Sequence, residues 1–106
     1  MSEWTAVGKV DDVVSKGWLQ VNLNGTLIVA YHIEGKFYAV EDICTHDGAV
    51  LSGCPLEGDE IICPRHGARF SVKTGEVTAP PAWEDIHPFP VKVEEGNIFV
   101  KDDRWD

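Results

Sequence analysis

From Trp18 to Leu23 apolar and polar residues alternate at period two, the pattern of a strand with one covered face. Asn24-Gly25 follows, a pair suited to the positive φ angles of a type I′ turn. Thr26 to Ile33 is then a near-continuous β-prone run, as expected of a strand buried on both faces. Glu34-Gly35 turns the chain into Lys36-Phe37-Tyr38-Ala39-Val40, which predicts a meander of three strands. Near the end, Val91-Lys92-Val93 and Asn97 to Lys101 flank Glu95-Gly96, a further hairpin. Trp4 to Val10 reads as an opening strand. The polar stretch Asp11 to Gly17 predicts a short turn or a single helical turn, and no helix of any length is expected.

A segment of different character lies between the meander and the last hairpin. From about Asp42 to Pro81 it holds all three cysteines, two of the four histidines, and glycines at 48, 53, 58, 67 and 75. Short β-prone runs, Glu60 to Cys63 and Arg69 to Val72, stand between these breakers. The pattern describes one domain, residues 1–106, with a small loop-rich lobe inserted into an antiparallel scaffold.

Composition narrows the function. A formal net charge of −9 argues against a nucleic-acid partner, whose phosphates call for Lys and Arg. It fits a solvated surface, or long-range steering toward a basic patch on a redox partner. No apolar run approaches the ~20 residues of a membrane span. Met1-Ser2-Glu3-Trp4 lacks the basic start and apolar stretch of a signal peptide, so a cytoplasmic protein is expected.

The chemistry is concentrated in Cys44-Thr45-His46 and Cys63-Pro64-Arg65-His66, which are separated by sixteen residues. Each run puts one thiol and one imidazole on a tight loop. Two thiolates and two imidazoles can hold two inequivalent irons, one through sulfur and one through nitrogen, which is the ligand set of a Rieske [2Fe–2S] centre. A tetrahedral Cys2His2 zinc site, in a zinc-stabilised binding module, is the alternative. Gly48 and Gly67 follow the histidines closely and supply unusual φ angles to the two loops. Two ferric ions, two sulfides and two thiolates are neutral together with neutral imidazoles, so such a centre is easier to reduce than an all-cysteine cluster. Rieske potentials accordingly span about −150 to +300 mV, against about −400 mV for plant-type ferredoxins.

The text Cys44-Thr45-His46-Asp47-Gly48-Ala49, Leu51-Ser52-Gly53, Cys63-Pro64-Arg65-His66-Gly67-Ala68-Arg69-Phe70 and Thr74-Gly75 closely resembles the Rieske family. Over nearly the whole chain it resembles the small Rieske-type ferredoxins of multicomponent aromatic-ring dioxygenases. That resemblance implies an all-β, Rieske-like antiparallel β-sandwich with a cluster-binding lobe at about 42–81. It implies one [2Fe–2S] cluster per chain, with Cys44 and Cys63 on the inner iron and His46 and His66 on the outer, exposed one. Ala79-Pro80-Pro81 would match the proline-bearing third loop over the cluster. The quinol-oxidising branch carries a second cysteine in each ligand loop and a Ser and a Tyr hydroxyl against sulfur. Here those positions are Ala49, Arg65, Ala68 and Phe70, which implies a low-potential carrier.

The implied role is a one-electron carrier between a flavoprotein ferredoxin reductase and a terminal Rieske oxygenase, with no catalysis of its own, and a monomer fits such a shuttle best. A Rieske-like small subunit of a nitrite reductase is a second reading of the same motif. The remaining residues carry no chemistry in this reading. Cys54 is a small buried hydrophobe, His32 a hydrogen-bonded structural histidine, and His87 lies in an extended stretch with no carboxylate at ligand spacing. Arg65 and Arg69 are ordinary surface or carboxylate-paired arginines, with tuning of the potential or a partner contact as the lesser alternative. Trp83 and Trp105 are packing residues.

Overall fold

The computed structural model describes residues 3–45, 48–64 and 66–104. Among the described residues eleven strands, all paired antiparallel, form three sheets. In chain order they are β1 (Trp4–Lys9), β2 (Trp18–Leu23), β3 (Thr26–Ile33), β4 (Lys36–Glu41), β5 (Leu56–Glu57), β6 (Glu60–Ile62), β7 (Arg69–Ser71), β8 (Val77–Ala79), β9 (Pro88–Phe89), β10 (Val91–Glu94) and β11 (Asn97–Lys101). The sheets run β1-β11-β10, β2-β3-β4-β9 and β5-β6-β7-β8.

The expected meander forms, with Trp18 opposite Tyr31 and Ile33 opposite Lys36. Its turns, and that of the last hairpin, use a positive φ twice in succession: Asn24 and Gly25 at 53° and 89°, Glu34 and Gly35 at 51° and 81°, Glu95 and Gly96 at 50° and 77°. This is the twist that matches right-handed strands.

Period two explains why β3 reads as continuously apolar. Ile28 and Ala30 face a core shared with Ile98 and Val100 of β11 and Phe89 of β9. Val29 and Tyr31 face the other way, into a core with Leu51, Ile61, Phe70 and both Cys44 and Cys63. The central sheet is thus covered on both sides, by the β1-β11-β10 sheet and by the β5–β8 lobe, and the lobe shares its core with the scaffold.

Two expectations need correction. Residues Val10–Lys16 form a two-turn helix, α1, and β1 stops at Lys9. Asp11 and Asp12 lie in its first turn and Lys16 in its last, the arrangement favoured by the helix dipole. Gly17 closes it in the left-handed region, donating to Val13 O at 2.6 Å, and Val13 is fully buried. Trp83, expected to pack, is 86% exposed. It sits in the 80–86 loop, where it lines an open depression with Val77, Pro80 and Ala82. Trp105 lies outside the described residues.

Candidate metal centre

The two cysteine loops are built alike. Cys44 N donates to Ala49 O at 2.7 Å, and Gly48 N donates back to Cys44 O at 2.7 Å. Cys63 N donates to Ala68 O at 2.7 Å, and Gly67 N donates back to Cys63 O at 2.9 Å. In each loop the fourth residue after the cysteine is a glycine at positive φ, 78° for Gly48 and 81° for Gly67. A Cβ on either would meet nothing within 4 Å, so it is the backbone angle, not close approach, that calls for glycine there.

This repeat brings both thiols into one buried cluster. Cys44 is 0% and Cys63 3% exposed, while His66, on its turn, is exposed. His46, Asp47 and Arg65 lie outside the described residues. Among the described residues no group of three His, Cys, Asp or Glu side chains gathers for a single metal ion. A two-iron centre asks for only two protein ligands per iron, so the donor chemistry fits: buried sulfur for one, surface imidazole for the other. Ala68 and Phe70 lie in the same cluster, both fully buried, and bring a methyl and a phenyl group without a hydroxyl donor.

Three residues position the first loop through contacts that were not expected from sequence. Asp42, 3% exposed, accepts the Leu51 amide at 2.6 Å and the Ser52 amide at 2.7 Å on Oδ1, and Gln20 Nε2 at 2.7 Å on Oδ2. Thr45 Oγ1 donates to Glu84 O at 2.7 Å, tying the loop to the 80–86 segment. Tyr31 directs its hydroxyl toward Leu51 O at 3.5 Å; burial, then the charges of Asp42 and Cys54, push its phenol well above the ordinary range.

The third loop begins where β8 pairs Ala79 opposite Arg69, and its Pro80–Pro81 bond is cis. Arg69 is the expected carboxylate-paired arginine: Nη1 lies 3.2 Å from Glu57 Oε1 and 3.1 Å from Glu60 Oε1. The Thr78 hydroxyl and then Arg69 hold the Glu60 carboxyl below its usual range, and Glu57 and Glu60 raise Arg69.

The other polar residues depart from expectation. His32 is half-buried and its ring packs across the sheet on Phe37, with centroids 4.9 Å apart, so the contact is aromatic. His87 does have a carboxylate, brought by the chain's return: Asp103 Oδ1 lies 2.7 Å from Nε2. Cys54 packs against the core as a small hydrophobe, as expected, but is only half-buried, its thiol 3.8 Å from Val50 O. No helix among the described residues is long and apolar enough to cross a membrane.

Comparison with known proteins agrees with this geometry. The Rieske [2Fe–2S] domain model matches residues 3–90. The ferredoxin component of the naphthalene 1,2-dioxygenase/salicylate 5-hydroxylase systems of Ralstonia sp is 39% identical over 98 residues, 92% of this chain and 94% of the relative. Among solved structures, a chain of the complex of reduced oxygenase and oxidized ferredoxin in carbazole 1,9a-dioxygenase superposes with a TM-score of 0.83 at 38% identity, covering 92% of this chain and 91% of that one. The ferredoxin of carbazole 1,9a-dioxygenase from Nocardioides aromaticivorans IC177 gives 0.84 at 26% identity over 92% of this chain and 95% of that chain.

Proposed function

The chain belongs to the Rieske [2Fe–2S] domain family, and on that premise we propose that it is a soluble, cytoplasmic one-electron carrier of an aromatic-ring dioxygenase system. As a monomer it takes an electron from a flavoprotein ferredoxin reductase and delivers it to the Rieske centre of a terminal oxygenase. It performs no oxygenation itself. The observation that carries this reading is the pair of equivalent loops that present Cys44 and Cys63 to one buried cluster while His66 stays at the surface.

In this assignment Cys44 and Cys63 hold the inner iron, and His46 and His66 the outer one. When bound, the [2Fe–2S] cluster supplies reversible uptake of one electron. The protein's own residues set where and at what potential that happens. Burial of the two thiols keeps water from the sulfur side. Exposure of His66 leaves the imidazole edge as the short route to a partner. Ala68 and Phe70 offer no hydroxyl to sulfur, so the more negative reduced state forgoes hydrogen bonds worth about 1.5–3 kcal/mol each to a charged acceptor. The expected potential is therefore low within the Rieske range.

Ligand substitution read by absorption spectrum and iron and acid-labile sulfide content tests the assignment. Cys44→Ser and His66→Ala should each abolish the assembled cluster, and Cys54→Ser should leave it intact. A normal Rieske spectrum in either ligand variant would refute the assignment. A colourless wild-type protein without acid-labile sulfide would mean zinc, and co-purification with a large sirohaem protein would mean a nitrite reductase subunit.

A further inference from the structure

The two cysteine loops share a backbone but are held at their necks by different means. The Cys63 loop leaves β6 and returns as β7, so the ladder pairs Ile61 with Phe70 and Ile62 with Arg69 across its neck. The Cys44 loop leaves just after β4 but returns through residues 49–55, which belong to no strand. Leu51 and Ser52 therefore have no ladder partner for their amides, and the Asp42 side chain accepts both.

Asp42 is itself fastened on two sides. Its own amide donates to Leu27 O of β3 at 2.9 Å, and its Oδ2 accepts the Gln20 amide of β2. At the twin position, two residues before Cys63, stands Ile61, fully buried and apolar. Burial alone can thus be met at this position by an aliphatic side chain. A carboxylate here does something an aliphatic group does not: it puts a negative charge in the interior two residues from a cysteine. The donors that reach it are two backbone amides and one carboxamide, all neutral, so the charge is stabilised by dipoles without being cancelled.

We propose that Asp42 is a positioning residue that clamps the Cys44 loop to the β2–β3 hairpin and, through its charge, lowers the reduction potential of the cluster. This rests on the cluster reading above. Reduction would add one negative charge to a cluster held in part by Cys44, and a fixed like charge nearby, in a medium far less polarisable than water, disfavours that.

Two variants separate charge from shape. Asp42→Asn keeps an oxygen for the Leu51 and Ser52 amides, while the Gln20 amide can turn its oxygen to the new NH2 group. Gln20→Lys leaves the Leu51 and Ser52 bonds to Oδ1 in place and exchanges the carboxamide at Oδ2 for a cation at the exposed edge of the clamp. Voltammetry of each holoprotein should show the midpoint moving to higher potential, by at least threefold in the one-electron equilibrium, about 30 mV at 59 mV per tenfold. Full cluster content with an unmoved midpoint in both variants would overturn the electrostatic role. Asp42→Ala, which removes the clamp, should lower both the melting temperature and the cluster content of the holoprotein. Wild-type melting and full occupancy there would overturn the positioning role. Absence of iron and sulfide from the wild type would instead overturn the cluster reading, a failure visible before any variant is made.

Discussion

The Gly75 carbonyl accepts the Ile86 amide at 2.8 Å, and this bond pins the 80–86 loop to the turn that follows β7. Ile86 is buried in the core that holds both cysteines, so the loop is anchored from beneath. Gly75 has a φ of 75°, and a Cβ there would run into the Ile86 carbonyl oxygen. Gly35, at a hairpin tip with a φ of 81°, has nothing within 4 Å of the same atom. Gly35→Ala should therefore cost only the backbone strain of a left-handed residue, about 1–2 kcal/mol. Gly75→Ala meets that strain and backbone displacement together, so its loss must be larger. Thermal melting of the two variants side by side checks this; an equal or smaller drop for Gly75→Ala would mean that the loop yields freely.

Acid should weaken the corner where the chain ends its last strand. The Arg104 guanidinium donates to both oxygens of Asp102, Nε to Oδ1 at 2.8 Å and Nη2 to Oδ2 at 2.7 Å, and also reaches Thr26 Oγ1 at 3.0 Å. These bonds hold the buried Asp102 carboxyl below its usual range, against the opposing effect of burial. A depressed folded-state pKa gives stability that is complete above the unfolded value, about 3.9 for Asp, and lost as pH falls through the folded value. Asp102→Asn should thus be less stable than wild type at neutral pH and approach it near pH 2. Urea unfolding at both pH values tests this, and a constant difference would show that the carboxyl keeps its proton affinity on folding.

How far the structure could be read in advance depended on how local the signal was. The three hairpin turns were legible because an X-Gly pair with two positive φ angles is a property of adjacent residues, Asn24-Gly25 being the clearest. The apolar run of β3 was legible because both its faces meet a core. The cysteine and histidine spacing, with a glycine four residues after each cysteine, carried the site. What escaped was set by chain return. β5 and β9 are two residues each, too short for any period to register, and β9 contains Pro88. Asp42 looks like any acid before a loop until Leu51 and Ser52 come back to it nine and ten residues later. His87 meets Asp103 only because the chain folds the two together across sixteen residues.

Exposure divides two aromatic residues of the lobe. Phe70 is fully buried in the core that holds both cysteines, and Trp83 is almost wholly in solvent. Phe70→Ala should cost about 3–5 kcal/mol through lost burial and the cavity left behind. Trp83→Ala should stay within about 0.5 kcal/mol, as for other substitutions of exposed surface residues. Denaturant midpoints of the two variants decide between these environments. A large loss for Trp83→Ala would place its indole against the lobe.

Charge should govern how fast the protein meets its partners. With a net charge of −9, attraction to a basic docking patch acts over roughly the Debye length, about 10 Å at 0.1 M salt and less as salt rises. Stopped-flow transfer to the oxygenase should slow steeply with ionic strength, within the 10- to 1,000-fold that steering contributes. Glu84 offers a local test, because its backbone carbonyl holds Thr45 while its side chain is exposed, next to Trp83. Glu84→Lys reverses a charge on the lobe without removing that bond. If the lobe faces the partner, the variant should be slower than wild type at low salt and match it at high salt. Equal rates at every salt concentration would put the docking charges elsewhere on the surface, and salt-independent transfer by the wild type would leave the acidic surface a matter of solubility alone.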